Sequence, residues 1–512
     1  MGTDGKDIMK KNGFRRGKRL GMLLGFWILL LACTACQKAV RKENDTAEEI
    51  IPLKWYLCSA GVQADGKSVE KAVQKYLKDT YGMNIALELV MYNFAGYGDK
   101  MRMILASDAD YDICYTSSWS NNYFYYAGKG EFLPLNEWLG REQELKNSIL
   151  PEVWEGIEVK GQVYGIPSNQ IYSKQNYVAI VKEYAKDYGL DVDKVHQLKD
   201  LDDFFRRVKA DHQEVYPLAL SEAGAMGKLQ FSLGFENLIG EYLPGAIRLG
   251  DESLTVVNQY EMKEVKEYYE LMHRWAEDGI IRPDAALVPN NGLAGMKSGE
   301  NIACVNSTFK PGTDVTESSN FGGKEVVFAM LSDAWMTTES ISSSLSAVNR
   351  NSDHPETAFQ LLKLVNTDPV LYNLLCFGIE GKHYEKNTDG TVHLLEDGGY
   401  DPQADWAFGN QFLAMPREGQ EKDIWEKTQV ENRAARRSPV LGFSFDTGGV
   451  TRQIAAVTAV LDQYRILLDT GTADTGKEYP EFLQKLKEAG SEDIVKEMER
   501  QLKLWSGASG RP

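Results

Sequence analysis

Cysteine and histidine are both scarce in this 512-residue chain, and neither is clustered. Cys33 and Cys36 stand close together, while Cys58, Cys114, Cys304 and Cys376 lie far apart. Beyond Cys33-Thr34-Ala35-Cys36 in the leader region no Cys-x-x-Cys pair occurs, and none of His196, His212, His273, His354, His383 and His393 falls four residues from another. Those spacings are what structural zinc and a helical metal pair require, so no metal and no cofactor is expected. The four dispersed cysteines read as buried thiols, because a core of this size needs no disulfide staples. No apolar run is long enough to span ~30 Å of hydrocarbon as a stable helix. Catalytic signatures are missing as well. There is no Gly-x-Ser-x-Gly elbow, no His-Glu-x-x-His, and no Gly-x-Gly-x-x-Gly after the first strand. Paired carboxylates for glycoside hydrolysis stay open, since 74 acidic residues offer many pairs. Excess positive charge is also absent: the formal net charge is −17. An acidic surface repels phosphate backbones and anionic lipid heads, which argues against nucleic acid as a partner.

What is present begins at the N-terminus. Arg15, Arg16, Lys18 and Arg19 precede an uncharged run, Leu20 to Ala32, that ends in small residues and cysteine. A basic n-region, a short apolar h-region and a small residue at the cut is the layout of a secretory signal, with an uncleaved anchor as the plainer alternative. The run resembles a bacterial lipobox, in which a cysteine thiol is acylated. Leu30-Leu31-Ala32-Cys33 fits that pattern, and Cys36 is the alternative acylation site. Met9 is an alternative start. Residues 1–32 are therefore expected to be a lipoprotein signal peptide and 33–52 a flexible tether. The leader carries seven basic and two acidic side chains, which leaves the rest of the chain near −22.

Order is predicted from Leu53 onward. Leu53–Cys58 is rich in β-formers, Val69, Val73, Tyr76 and Leu77 recur at helical steps, and Ile85–Val90 is a second strand. A helix over 97–107 with Met101, Ile104 and Leu105 on one face leads to a third strand at Tyr111–Thr116. This alternation predicts parallel βαβ units of an α/β fold. Open parallel sheets bind ligands outside the carboxyl ends of their strands. The loop in that position, Ser117–Tyr123, combines polar groups with aromatics, and Ser118, Trp119 and Asn121 are its candidates for ligand contact. Gly161–Pro167 reads as a turn into a first crossing between lobes. Residues 177–303 then form a second unit, with helices at 181–189, 201–210 and 261–278. Residues 310–325 are expected to be an exposed loop, and Phe328–Leu331 a strand returning to the first lobe. Pro355 and Pro369 mark helix starts, and a helix at 492–504 finishes the chain.

Aromatic residues make up 11% of the chain. Several stand beside amides or hydroxyls where core periodicity breaks, as in Ser332–Thr338 and Asp405–Phe412. Sugar rings present apolar C–H faces and a rim of hydroxyls, which a rigid aromatic plate with polar neighbours matches.

Longer segments carry a resemblance. Lys75–Tyr123 (KYLKDTYGMNIALELVMYNFAGYGDKMRMILASDADYDICYTSSWSNNY), Lys129–Leu139 (KGEFLPLNEWL) and Lys160–Gln170 (KGQVYGIPSNQ) resemble the N-terminal lobe of extracellular solute-binding lipoproteins of ABC importers. Phe377–Lys386 (FGIEGKHYEK), Trp406–Phe412 (WAFGNQF) and Ser438–Asp446 (SPVLGFSFD) resemble the C-terminal portion of the LipO-like branch of the maltose-binding-type group. The resemblance implies a two-lobe, periplasmic-binding-protein-like fold with discontinuous lobes joined by a hinge. Residues 53–167 plus 332–378 would form the N-terminal lobe, and 168–331 plus 379–512 the C-terminal lobe. It also implies a monomer, lipid-anchored on the extracellular face of the membrane, that captures a sugar or oligosaccharide and delivers it to a permease without catalysis. By position it places Trp119, Asn169, Trp335, Trp406, Phe408, Asn410 and Gln411 around the interlobe cleft, with Trp406–Gln411 in the second lobe. His383 is read as a structural hydrogen-bonding residue. A membrane-anchored glycan-degrading enzyme is the alternative, and a peptide receptor a third reading for which the chain shows no charged clamp.

Overall fold

The computed structural model describes residues 49–509 except Asp108, Glu241, Glu252, Asn290 and Asn291; the leader, Cys33, Cys36 and the tether before residue 49 lie outside the described residues. Strand β1 (Ile51–Ser59) buries Leu53, Trp55 and Leu57 on one face, the period of two that a pleated strand imposes. The helix Gly66–Tyr81 buries Val69, Val73 and Leu77 at four-residue steps and stops at Gly82, whose φ of 68° suits a residue without a Cβ. Strand β2 (Ile85–Asn93) pairs with β1 in parallel over its whole length. After the helix Tyr97–Ala106, β3 (Ile113–Thr116) joins the other edge of β1, also in parallel. The expected βαβ units are thus present.

The chain next forms β4 (Ile166–Pro167) and crosses to a second sheet. That sheet holds β5 (Tyr177–Val181), β6 (Leu218–Ala219), β10 (Ala303–Asn306) and β11 (Val326–Met330) in the order β11-β5-β10-β6. A small antiparallel sheet, β7 (Phe235–Asn237), β8 (Ala246–Arg248) and β9 (Val256–Val257), lies between β6 and β10 in the chain. Strand β12 (Trp335–Met336) leads back to β13 (Leu345–Val348), which inserts antiparallel between β3 and β4. The helices Pro355–Thr367 and Pro369–Phe377 follow, each with proline in its first turn as expected. A hairpin of β14 (Tyr384–Lys386) and β15 (Val392–Leu394) precedes β16 (Arg436–Arg437). Three helices, Thr451–Asp469, Thr475–Glu488 and Ser491–Ser509, end the described chain. No described helix is long and apolar enough to cross a membrane.

Two apolar cores result. One gathers Trp55, Val73, Ile113, Ala347 and Leu362. The other gathers Val178, Phe205, Trp275, Ala303, Leu461 and Met498. The expected lobe boundary after residue 378 does not follow this division. Tyr384, Val392, Tyr400, Ala407 and Phe408 sit in the first core, and the chain enters the second only at Val440 and Phe443. The physical reason is Phe408, fully buried with its ring edge-on to Trp55 at 5.9 Å. Residues 310–325 also differ from expectation. They contain the helix Thr313–Asn320, because the buried Glu317 carboxylate accepts hydrogen bonds from Tyr177 Oη (2.7 Å) and Asn320 Nδ2 (3.1 Å). The helix expected over 181–189 begins at Lys182, since Val181 closes β5. Cys58, Cys114, Cys304 and Cys376 are buried and unpaired; burial pushes the thiols of Cys58 and Cys114 up to about 12.

Three segments connect the cores, and they lie side by side. Lys174 and Trp335 exchange two backbone hydrogen bonds, of 2.9 and 2.8 Å. Trp335 and Met336 pair in parallel with Arg436 and Arg437. Laterally paired crossings of this kind form a hinge that permits closure of one lobe on the other.

Candidate functional site

The sheet topology points to the carboxyl ends of β1, β2 and β3 as a ligand surface. Phe94 follows β2, and Trp119 follows β3 in the turn Ser117–Asn122. That turn is fixed from within. Asn121 adopts a φ of 50°, and its Nδ2 donates to Tyr115 O at 2.8 Å. Ser118 donates through Oγ to Glu339 O (3.0 Å) and through its backbone N–H to Ser342 O (2.7 Å). Trp119 Nε1 donates to Ser343 O at 2.9 Å, which orients the indole while leaving half of it exposed.

Trp406 reaches the same place from the short helix Asp405–Phe408. Its ring lies 6.3 Å from Trp119, 6.0 Å from Phe94 and 5.8 Å from the buried Tyr115 beneath. Trp119 and Trp406 are inclined by 46°, and Phe94 and Trp406 by 32°. The three rings therefore form one curved aromatic platform, with Trp119 51% and Phe94 39% exposed. Trp406 Nε1 donates to Gln403 O (3.1 Å), and Ser344 Oγ donates to Trp406 O (3.1 Å), so this plate too is held by hydrogen bonds along its edge. The second lobe faces this helix: Lys310, in the loop after β10, feels the charges of Asp405 and Arg417, and desolvation holds its ammonium below the ordinary lysine range.

The nine candidates from the sequence divide by what their side chains touch. Trp119 and Trp406 come together as expected, with Ser118 securing the loop beside them. Trp406 is carried by the first lobe, not the second, because its helix packs on the first core. Trp335 lies in the hinge, with the Arg436 guanidinium 4.4 Å from its ring and Phe231 at 6.5 Å. The other five are engaged within the protein. Phe408 is sealed in the core. Asn121 holds the turn. Asn169 Nδ2 donates to Ser148 O (2.6 Å), Asn410 Nδ2 to Asn366 O (3.2 Å), and Gln411 Nε2 to Asp405 Oδ2 (3.1 Å), all from buried positions.

Sequence reasoning missed Phe94, although it occupies the same post-strand position as Trp119. It also missed the ion pair at the foot of the hinge, where Lys174 Nζ meets Glu339 Oε1 at 2.6 Å. A cavity of about 280 Å³ opens against the crossings, lined by Ser173, Gln175, Phe309, Asp333, Glu431 and Arg436 among others. Burial pushes the Glu431 carboxyl there up to about 7. Among the described residues, no three His, Cys, Asp or Glu side chains gather as a metal-binding group.

Comparison with known proteins agrees with this architecture. Residues 439–506 match the model of a domain of unknown function, DUF3502. A carbohydrate ABC transporter substrate-binding protein of Streptococcus pneumoniae serotype 4 is 28% identical over 425 residues, covering 81% of this chain and 83% of that protein. The crystal structure of the N-glycan transport solute binding protein NgtS of S. pneumoniae with Man1GlcNAc aligns with a TM-score of 0.72 at 25% identity, covering 88% of this chain and 98% of that one. An extracellular solute-binding protein of Bifidobacterium longum subsp. infantis aligns at 0.62, with 15% identity over 90% of this chain and 99% of that one. The two-lobe α/β fold of periplasmic solute-binding proteins is the fold of this chain.

Proposed function

We propose that this chain is the solute-capturing component of a carbohydrate ABC importer, holding an oligosaccharide between hinged lobes and handing it unaltered to a membrane permease. The observation that carries this reading is the curved platform of Phe94, Trp406 and Trp119 at the strand ends of the first lobe. Flat rings with exposed faces match the apolar side of a sugar, and covering them removes surface from water at roughly 25 cal/mol per Å². Three plates in a row suit a chain of sugars better than a single ring. The carbohydrate description of the streptococcal relative, and the Man1GlcNAc and Man5GlcNAc complexes of NgtS, support the same substrate class. Acylation at Cys33, or at Cys36, would tether a monomer to the outer face of the membrane; two lipid chains supply the stable anchoring that an acidic surface does not.

Isothermal titration with Man5GlcNAc, malto-oligosaccharides and tripeptides tests the reading. Binding of one glycan class, weakened in Trp119→Ala and Trp406→Ala, is the expected result. Binding of peptide alone, or release of shortened sugars during incubation, would overturn it.

A further inference from the structure

The two indoles of the platform come from distant parts of the chain, and one buried side chain stands beneath both. Tyr115, on β3, is fully buried, so it does not touch a solute itself. Its ring lies 6.0 Å from Trp119 and edge-on to Trp406 at 5.8 Å. Its hydroxyl donates to Ser343 O at 2.8 Å, and the Trp119 indole N–H donates to the same carbonyl at 2.9 Å. A carbonyl oxygen has two lone pairs, so this one atom, just past the short helix Thr338–Ile341, pins both rings. Tyr115 is fixed from below as well. The Tyr97 hydroxyl (2.7 Å) and Asn121 Nδ2 (2.8 Å) both donate to its backbone carbonyl, and the Tyr97 ring packs edge-on against it at 5.6 Å. Each indole is further carried by a turn with a non-glycine residue in the left-handed region, Asn121 and Gln403, both at φ 50°. Such strain persists only where the surroundings enforce it.

We propose that Tyr115 is a positioning residue for solute capture: its ring and hydroxyl set the angle between Trp119 and Trp406 before any solute arrives, a role that rests on the platform being the solute-binding surface proposed above. Phenylalanine in its place would keep the ring and its volume but lose the bond to Ser343, which frees the ring to tilt beneath both indoles. Plates whose mutual angle is free must be ordered by the solute at the moment of binding, and that weakens affinity without removing a contact. The loss grows with the number of plates a solute covers at once. A disaccharide seated on a single plate is indifferent to the angle, whereas a longer glycan that spans Trp119 and Trp406 is not.

Circular dichroism of the ligand-free protein reads the angle, because indoles 6.3 Å apart couple their far-ultraviolet transitions. The coupled signal is the part of the spectrum that Trp119→Phe removes. Tyr115→Phe should diminish it, and in calorimetry should weaken Man5GlcNAc about 10-fold but Man1GlcNAc about 2-fold at most. Tyr97→Phe, which loosens Tyr115 from below, should act in the same direction and keeps the test decisive if Tyr115→Phe does not fold. Tyr260→Phe is the control: it takes an equally buried hydroxyl from a backbone carbonyl of the second lobe (Tyr242 O, 2.6 Å) and should leave both readings at wild type. A coupled signal unchanged in folded Tyr115→Phe overturns the role whether or not any glycan binds, so its failure is distinct from failure of the carbohydrate reading. Equal weakening of both glycans, or a matching change in Tyr260→Phe, overturns it as well, because Tyr115 would then act through stability alone.

Discussion

Asp469 shows how a single buried carboxylate can organise a lobe. It is fully buried and accepts hydrogen bonds from the backbone N–H groups of Ala225 (3.1 Å) and Met226 (3.1 Å) and from the Tyr268 hydroxyl. A Cβ on Gly224, whose φ is 72°, would collide with its Oδ2, so the turn closes directly onto the carboxylate. Asp469→Ala leaves three donors unmet, each at about 1–3 kcal/mol, and should cost about 3–5 kcal/mol in urea unfolding. Trp406 poses a different case: it is partly buried against the first core and also lines the platform. Trp406→Ala should weaken glycan binding about 10- to 100-fold, equivalent to about 1.4–2.8 kcal/mol, as read by calorimetry. Its melting temperature should change far less than that of Asp469→Ala.

Elements position these residues, and the clasp around His383 is the clearest instance. His383 is fully buried; its Nδ1 accepts from the Ile379 backbone N–H (2.8 Å), which leaves Nε2–H to donate to Asp65 Oδ2 (2.9 Å). Asp65 precedes the helix Gly66–Tyr81, and Lys382, Ser68 and His383 together hold its carboxyl below the usual carboxylate range. The clasp ties the segment leading to Trp406 onto the first lobe. His383→Ala should raise amide hydrogen exchange across 379–400 and lower glycan affinity less than Trp406→Ala does. The final helix illustrates the same logic in the second lobe. Ile494, Met498 and Leu502 are buried at four-residue steps, each worth about 1.5–3 kcal/mol. Truncation before Ser491 should therefore cost much of a stability that is about 5–15 kcal/mol in total, and yield aggregated protein on size exclusion. This helix, like β1, β2 and β3, was legible in the sequence because its apolar period is strong and uninterrupted. Residues 379–435 were not. Their elements are short, and apolar spacing says that Phe408 is buried without saying in which core. Amides such as Asn410 and Gln411 beside Trp406 read as ligand contacts for the same reason: sequence shows polar groups near a plate, but not which are already engaged by Asn366 and Asp405.

At the scale of the whole molecule, the two cores are joined by three paired crossings, and the platform belongs to only one of them. A ligand that touched the platform alone would stabilise the first lobe and leave the second unchanged. Closure around a solute makes it a partner of both lobes, so its binding energy resists the unfolding of both. At 100 times Kd, mass action adds about 2.7 kcal/mol. Divided by an unfolding entropy of about 2 cal/mol/K per residue over the folded part of the chain, this gives a rise of about 3 °C in the melting temperature. The shift alone does not separate the two cases, but hydrogen exchange does. With Man5GlcNAc or whichever glycan binds, protection should grow at Ile113–Thr116 in the first sheet and at Tyr177–Val181 in the second. Trp406→Ala at the same glycan concentration should lose both gains together, because the plate anchors the solute that the second lobe closes upon. Protection confined to the first sheet would mean that the hinge stays open around its guest, and that capture rests on the platform alone.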